Sequence, residues 1–386
     1  MSMNKDTALT VDLAKTFLAD ESSVDLRVFA TVDAAAAELL AASPCGRLDL
    51  RGLHALNGGP EATRLAEKLA EQFSDQYLDF PHLVDLSPDA AVVFAKHRYP
   101  ISLGLTQISE SLAGALIKTK KSKHQDSALI LPNLTSIDDA TASILAKHKA
   151  PLRLDGLRDL TAGAAKALAK HTPYLLSLNG INALSDDCMK FLATHAGPLS
   201  LNGIPSLSEQ NAKALADCPG LVIVLNGVRG LSAKVAKTLS VFKGTVGEGD
   251  MPYGGKTYTL PAGYAASSCL CLDGIEFLEP EVVTALAKLK GVLSLKGVVA
   301  HIKSLSNSAD DIALAKLLAG KTWTADELVF SSLEHIDLEA AGEIASFKGR
   351  LTATALKDVD PANLKPLRLR PTLMTTVKNH RSVDGQ

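Results

Sequence analysis

Along most of the 386-residue chain, apolar and polar positions recur with a beat of roughly 23–24 residues. From Leu152 the chain reads "LRLDGLRDLTAGAAKALAKH", from Leu176 "LSLNGINALSDDCMKFLATH" and from Leu199 "LSLNGIPSLSEQNAKALADC". From Ile223 it reads "IVLNGVRGLSAKVAKTLSVF", and from Leu270 "LCLDGIEFLEPEVVTALAKL". The shared template is L-x-L-x-G-[LI]-x-x-L-[ST]-x-x-x-A-x-x-L-A. Leu152, Leu176, Leu199 and Ile223 open four successive units in phase. Weaker copies begin near Val24, Leu48, Leu78, Ile101, Leu129, Leu293, Leu328 and Leu351. Self-similarity at such a period is the signature of a repeat architecture.

Each unit holds two periodicities. The alternating L-x-L predicts a short strand with its Leu residues turned inward. The following Gly suits a chain leaving the strand with unusual dihedrals. Ser, Thr or Asp then recurs at one place: Ser87, Asp138, Thr161, Ser185, Ser208, Ser232 and Asp337. Ala, Leu and Ala follow at helical spacing, so this residue is predicted to cap a helix. That helix would span about nine residues, too few to persist alone, and must be held by stacking.

One strand and one helix per unit predict an α/β fold, a curved right-handed solenoid with a parallel sheet on the concave face and short helices on the convex face. Strands stack at about 4.8 Å and helices at roughly 8–10 Å, so the coil bends into a horseshoe. In its L-x-L strands and single helix per turn the chain resembles the leucine-rich repeat superfamily, from about residue 24 to about 360. Its short units are similar to those of divergent bacterial versions. The resemblance implies the architecture and leaves the function open. That family usually places Asn or Cys just after the strand, in a buried hydrogen-bonding ladder. Here the position falls on Leu157, Ile181, Ile204 and Val228, so aliphatic packing is expected in its place.

The expected organisation is an N-terminal capping helix within 1–23, a solenoid of about 13 units over 24–360, and a C-terminal cap and tail over 361–386. Val11, Ala14, Phe17 and Leu18 would share one side of the capping helix. The beat breaks three times. Between Ile101 and Leu129 the interval lengthens, with "KTKKSKHQDS" inserted, and between Leu293 and Leu328 it lengthens further, across a longer helical connection. The widest interval runs from Ile223 to Leu270 and equals two beats. A whole unit with its strand near Val246 is therefore expected there, a helix-less irregular unit at 244–269.

Its "GGKT" has the look of a phosphate-binding loop. That motif needs Gly five residues before Gly255, where Asp250 stands, and a helix after Lys256 and Thr257, where "TYTLP" follows. Gly254-Gly255 instead suits a two-residue hairpin turn that would present Tyr253, Lys256 and Tyr258.

Residues between and after the paired Leu residues are predicted to point away from the core. Arg153, Ser177, Ser200 and Val224 form one row; Asp155, Asn179, Asn202, Asn226, Asp273 and Lys296 form the next. The second row has two readings: a polar stripe for a partner, or Asn and Asp that suit the turn and stack as a ladder. His97, His148, His171 and His195 end successive helices and are expected roughly 10 Å apart on the convex side, too far to share an ion. Cys269 and Cys271 form a C-x-C with no second pair at zinc-ligand spacing. The run Lys118, Lys120, Lys121, Lys123 and His124 is expected to be a solvated loop.

Composition narrows the function classes. Forty basic against 42 acidic residues give a net charge of -2, which offers no general attraction for nucleic acid or anionic lipid. Aromatics are only 4%, so the core must be aliphatic. Five cysteines make no even disulfide framework. No apolar run has the length of a signal peptide or membrane span, and a cytoplasmic setting is expected. No nucleophile, acid–base or metalloprotease motif is present. The leading expectation is a non-enzymatic scaffold, without cofactor or metal, that binds a protein or peptide on its concave face and the 250–266 segment. A self-associating structural protein is the alternative, and a nucleotide hydrolase acting through Lys256 and Thr257 is a third reading.

Overall fold

The computed structural model describes residues 8–44, 48–118, 128–171, 174–219, 222–242, 250–253, 256–259, 269–289, 291–321, 327–347, 349–357 and 365–367. The chain divides into two compact units, Met1–His195 and Ala196–Gln386. In the first, the parallel strands Leu78–Phe80, Ile101–Leu103, Leu129–Ile130, Leu152–Arg153 and Leu176–Ser177 pair in chain order. Register joins equivalent template positions: Leu129 lies opposite Leu152, and Leu152 opposite Leu176. Helices Pro88–Ala95, Glu110–Leu116, Asp139–Leu145, Ala162–Leu168 and Asp186–Leu192 alternate with these strands. In the second unit, strands Leu199–Ser200, Val222–Val224, Cys269–Cys271 and Val292–Ser294 do the same with helices Glu209–Ala216, Ala233–Leu239 and Pro280–Leu286. The α/β class is thus the one the repeat predicts.

The core follows the template. Leu152, Leu154, Leu157, Ala165 and Leu168 are all buried, as are Leu176, Leu178, Ile181, Met189 and Leu192 one coil later. The predicted caps form: Ser87, Asp138, Thr161, Ser185, Ser208 and Ser232 each accept a hydrogen bond from the backbone N–H three residues on. Asp337 precedes helix Leu338–Ile344 but its side chain does not cap it; it accepts from Asn307 N and His335 instead. The repeat helices, such as Ala162–Leu168 and Glu209–Ala216, are shorter than the template suggests.

The glycine serves a different end from the one expected. Neither Gly180 nor Gly227 has the left-handed dihedrals reserved for glycine. A Cβ on Gly180 would run into the Asp155 and Leu157 carbonyl oxygens of the preceding coil, and one on Gly227 into those of Asn202 and Ile204. The position is held by close approach of backbone to backbone.

The structure differs from expectation at both places that were read as special units. Strand Ala8–Leu9 pairs parallel with Thr31–Val32, and helix Val11–Ala19, capped by Thr10, packs on Ala34–Ala42. The helix expected to cover the first coil from within 1–23 is present, with Ala14 and Phe17 buried, and it is preceded by a strand of its own. Similar second strands precede the cap at Ala55–Leu56 and Asp85–Leu86, which also pair in parallel. Where a helix-less unit was expected at 244–269, no further strand enters the sheet among the described residues. Val222–Val224 pairs directly with Cys269–Cys271, Ile223 opposite Leu270, and helix Ala233–Leu239 packs on Pro280–Leu286. The double interval is one coil plus an insertion. Val246 itself lies outside the described residues.

The lengthened unit after Leu293 does carry a longer helical connection, resolved into helix Lys296–His301, strand Ser304–Leu305 and helix Ala309–Lys321. Beyond it, Glu327–Phe330 pairs in parallel with Arg350–Ala353. Among the described residues, no helix is long and apolar enough to cross a membrane.

Candidate functional site

The Asn/Asp row resolves into a ladder. The Asp155 carboxylate accepts from the Asn179 N–H at 3.0 Å and from the Ser177 hydroxyl, while the Asn179 amide donates to Ser177 Oγ at 2.9 Å. In the second unit, Asn202 Oδ1 accepts from Asn226 N at 2.8 Å, and Asn226 Oδ1 from Asp273 N at 3.0 Å. Asp273 Oδ1 accepts from Lys296 N at 3.0 Å and from the Ser294 hydroxyl. Asp155, Asn202, Asn226 and Asp273 thus each satisfy a backbone donor in the next coil, as buried polar groups require. This corrects the expectation that aliphatic packing stands in for a ladder. Leu157, Ile181, Ile204 and Val228 are buried, but the ladder runs two residues earlier.

The other predicted row is less open than expected. Ser177, Ser200 and Val224 are buried, with Ser177 only 2% exposed, whereas Arg153 is part-exposed and pairs with Asp155 at 3.3 Å. Lys296 is exposed, at the start of its helix.

Groups that the sequence reading passed over share this side of the first unit. Asp25 and Arg27, and Asp49 and Arg51, form bidentate pairs along the chain at 2.9 Å and at 2.6–2.7 Å. Arg153 and Asp155 repeat the pairing with the order reversed. The Arg51 guanidinium holds the Asp49 carboxyl below its ordinary range, and Asp49 in turn raises Arg51. Tyr77 is 45% exposed and hydrogen-bonds Ser102; burial is the main cause raising its phenol, with the nearby Asp79 charge adding to it. Alternation along Leu78–Phe80 sets Tyr77 and Asp79 opposite the core-facing Leu78. These residues fall in the weaker copies near Val24, Leu48 and Leu78, where the template is hardest to see. Their signal was the recurring D-L-R at 25–27 and 49–51.

The 250–266 segment contains the predicted hairpin. Asp250–Tyr253 pairs antiparallel with Lys256–Thr259, Tyr253 opposite Lys256. Lys256 and Thr257 stand in a strand, where a phosphate loop needs a helix start. Gly254, Gly255 and residues 260–268 lie outside the described residues, as do the side chains of Tyr253, Lys256 and Tyr258. So do Lys120, Lys121, Lys123 and His124 of the basic run.

The histidines depart from expectation in both spacing and burial. His148, His171 and His195 stack with ring centroids 6.3 Å apart and planes within 12°, and all are buried, as is His97. His97 Nε2 lies 2.8 Å from the Phe73 carbonyl oxygen, and His195 Nε2 lies 3.0 Å from that of Tyr174. No well-aligned hydrogen bond reaches either nitrogen of His171, although the Ala146 and Ala150 carbonyls lie near enough to favour its proton. Burial, then repulsion from His148 and His195, outweighs them and brings its pKa down to about 4. The column is a packing device, with the ring nitrogens of His97 and His195 turned to backbone carbonyls. Among the described residues, no group of three or more His, Cys, Asp or Glu could hold a metal.

The fold defines a class, an α/β repeat solenoid with one parallel strand and one helix per coil. No family model matches the sequence, and no curated protein matches it. Among solved structures it is similar to a chain described as "Structure of the Toll - Spatzle complex, a molecular hub in Drosophila development and innate immunity". The identity is 13% and the TM-score 0.35, over 80% of this chain and 39% of that chain's length. So loose a likeness carries no functional reading.

Proposed function

We propose that the protein is a non-enzymatic scaffold of the leucine-rich repeat kind that binds a protein or peptide partner in the cytoplasm. The observation that carries this reading is the set of charged pairs in the first unit, where Asp25–Arg27, Asp49–Arg51, Asp79 and Arg153 present donors and acceptors together with the part-exposed ring of Tyr77. Tyr and Arg are the residue types that anchor protein interfaces. The Asn/Asp ladder is not the contact surface. The 250–266 insertion, which adds a hairpin of its own to the second unit, is a second contact region. Cofactors, nucleic acid and membranes have no part in the reading.

The test is a pull-down with the intact chain, with a Tyr77→Ala, Arg51→Glu double variant, and with residues 250 to 266 deleted. A partner lost with the double variant supports the reading. A partner retained by both changes sinks it. Heat on titration with Mg-ATP that disappears in Lys256→Ala would favour the nucleotide hydrolase instead.

One observation favours self-association as a second reading. Phe277 in the second unit is 70% exposed, and Val241 and Val329 are also exposed. Light scattering over a concentration series separates the two: mass that grows with concentration and falls back in Phe277→Ser indicates assembly through the exposed Phe277 ring.

A further inference from the structure

The C-x-C of the second unit has no place in the binding reading. On strand Cys269–Cys271, alternation puts both thiols on one side of the sheet while Leu270 enters the core. The sulfurs lie 3.7 Å apart and the residues are 0% and 2% exposed. Register sets Val222 and Val224 beside them on one flanking strand, and Val292 and Ser294 on the other. The Ser294 hydroxyl is committed to Asp273, whose carboxylate also takes the Lys296 N–H in the ladder. Hard oxygen ligands next to the pair are therefore already engaged.

Two adjacent thiols in a dry, valine-lined site select among metals. Zinc takes four ligands, and calcium or magnesium takes oxygens. A soft ion prefers thiolate sulfur, and one that is content with two ligands fits a pair with no third ligand among the described residues. We propose that Cys269 and Cys271 form a two-sulfur site for a soft monovalent cation of the Cu(I) or Ag(I) class.

On binding, two S–H bonds break and two sulfur–metal bonds form. Both protons pass to solvent, and no oxidation state changes. The occupied site carries one net negative charge, which the nearby Asp273 carboxylate opposes and the Lys296 ammonium favours. Without metal, the Cys271 thiol is pushed well up, first by its hydrogen bond with Cys269 and then by burial.

The experiment uses the intact, fully reduced chain without oxygen, in competition with a chromogenic Cu(I) chelator, with Ag(I) as a redox-silent probe. One equivalent should bind, releasing two protons. Cys269→Ser or Cys271→Ser should each weaken it about a hundredfold or more, since one sulfur cannot satisfy the ion. A Cys45→Ser, Cys188→Ser, Cys218→Ser triple variant should retain it. Cys269→Val with Cys271→Val matches the flanking valines and keeps the core filled, so loss of binding there is not loss of fold. Uptake by that double variant equal to the unaltered chain overturns the proposal. So does failure of the unaltered chain to outcompete it, or a Cys269–Cys271 disulfide as the sole product of metal addition.

Discussion

At the position three residues past each helix's last Leu or Phe, the two units use the same backbone and different chemistry. In the first, His97, His148, His171 and His195 donate their backbone N–H to that earlier carbonyl. In the second, Cys218, Phe242 and Leu289 make the same bond. All seven side chains are buried. The template therefore asks only for a filled space beneath the helix end. Apolar residues meet that need at any pH, whereas imidazoles meet it only while uncharged. Two builds of one coil thus respond differently to acid.

The largest expected effect follows from that contrast. His171 takes a proton near pH 6.5 when unfolded and at about 4 when folded, so the unfolded state binds more protons between these values. The stability associated with neutral His171 is full above about pH 6.5 and is lost as pH falls toward 4, by up to roughly 3 kcal/mol. Urea denaturation at pH 7.5 and at pH 4.5 should show the loss, and His171→Phe should reduce it. A His171→Phe variant that keeps the full acid dependence would break the comparison. The reverse change, Phe242→His, should bring acid sensitivity into the second unit.

The ladder should cost slightly less to break. Asn226→Ala leaves the Asp273 N–H without its acceptor, for about 1–3 kcal/mol measured by denaturation, and Asn226→Asp should restore most of it. A smaller gain is expected at Asn211, which is buried with no partner for its Oδ1. Asn211→Val, the residue at the equivalent place in the next coil, should stabilise by about 1 kcal/mol. At the bottom of the scale, Ser232→Ala removes a cap and should lower stability by about 1 kcal/mol or less, read as a fall in melting temperature.

Much of this was legible in the chain because it depends on local spacing. The strand alternation, the capping residue three places before its N–H partner and the hairpin around Gly254-Gly255 all lie within a short stretch of sequence. What escaped depends on contacts between coils. The glycines are fixed by carbonyls of the coil before, as Gly180 is by Asp155 and Leu157, and no property of the glycine itself reports that. The Asn/Asp row admitted a ladder, but the family's usual position drew attention to Leu157 and its equivalents instead. The interval from Ile223 to Leu270 does equal two beats, yet only the pairing of Val224 with Cys271 shows that it is not two coils. The His spacing was misjudged because side chains reached inward to stack, while helix-axis distances describe the outside. Tyr77 and the D-L-R pairs were hidden in copies too weak to align by eye.

The ladder also has a direction. At each rung, a side chain of the earlier coil receives an N–H from the later one, as Asn202 does from Asn226 and Asn226 from Asp273. During synthesis, the backbone N–H of a new coil on these rungs finds its side-chain acceptor already in place, while strand N–H groups such as those of Leu154 and Leu225 wait for carbonyls of the coil to come. Removing the coil of Asn226 would strand the Asp273 N–H, whereas removing the coil of Asp273 would free the Asn226 side-chain oxygen and, with it, the Leu225 N–H. The side-chain ladder is thus laid acceptor first, whereas the strands beneath it also lay donors first.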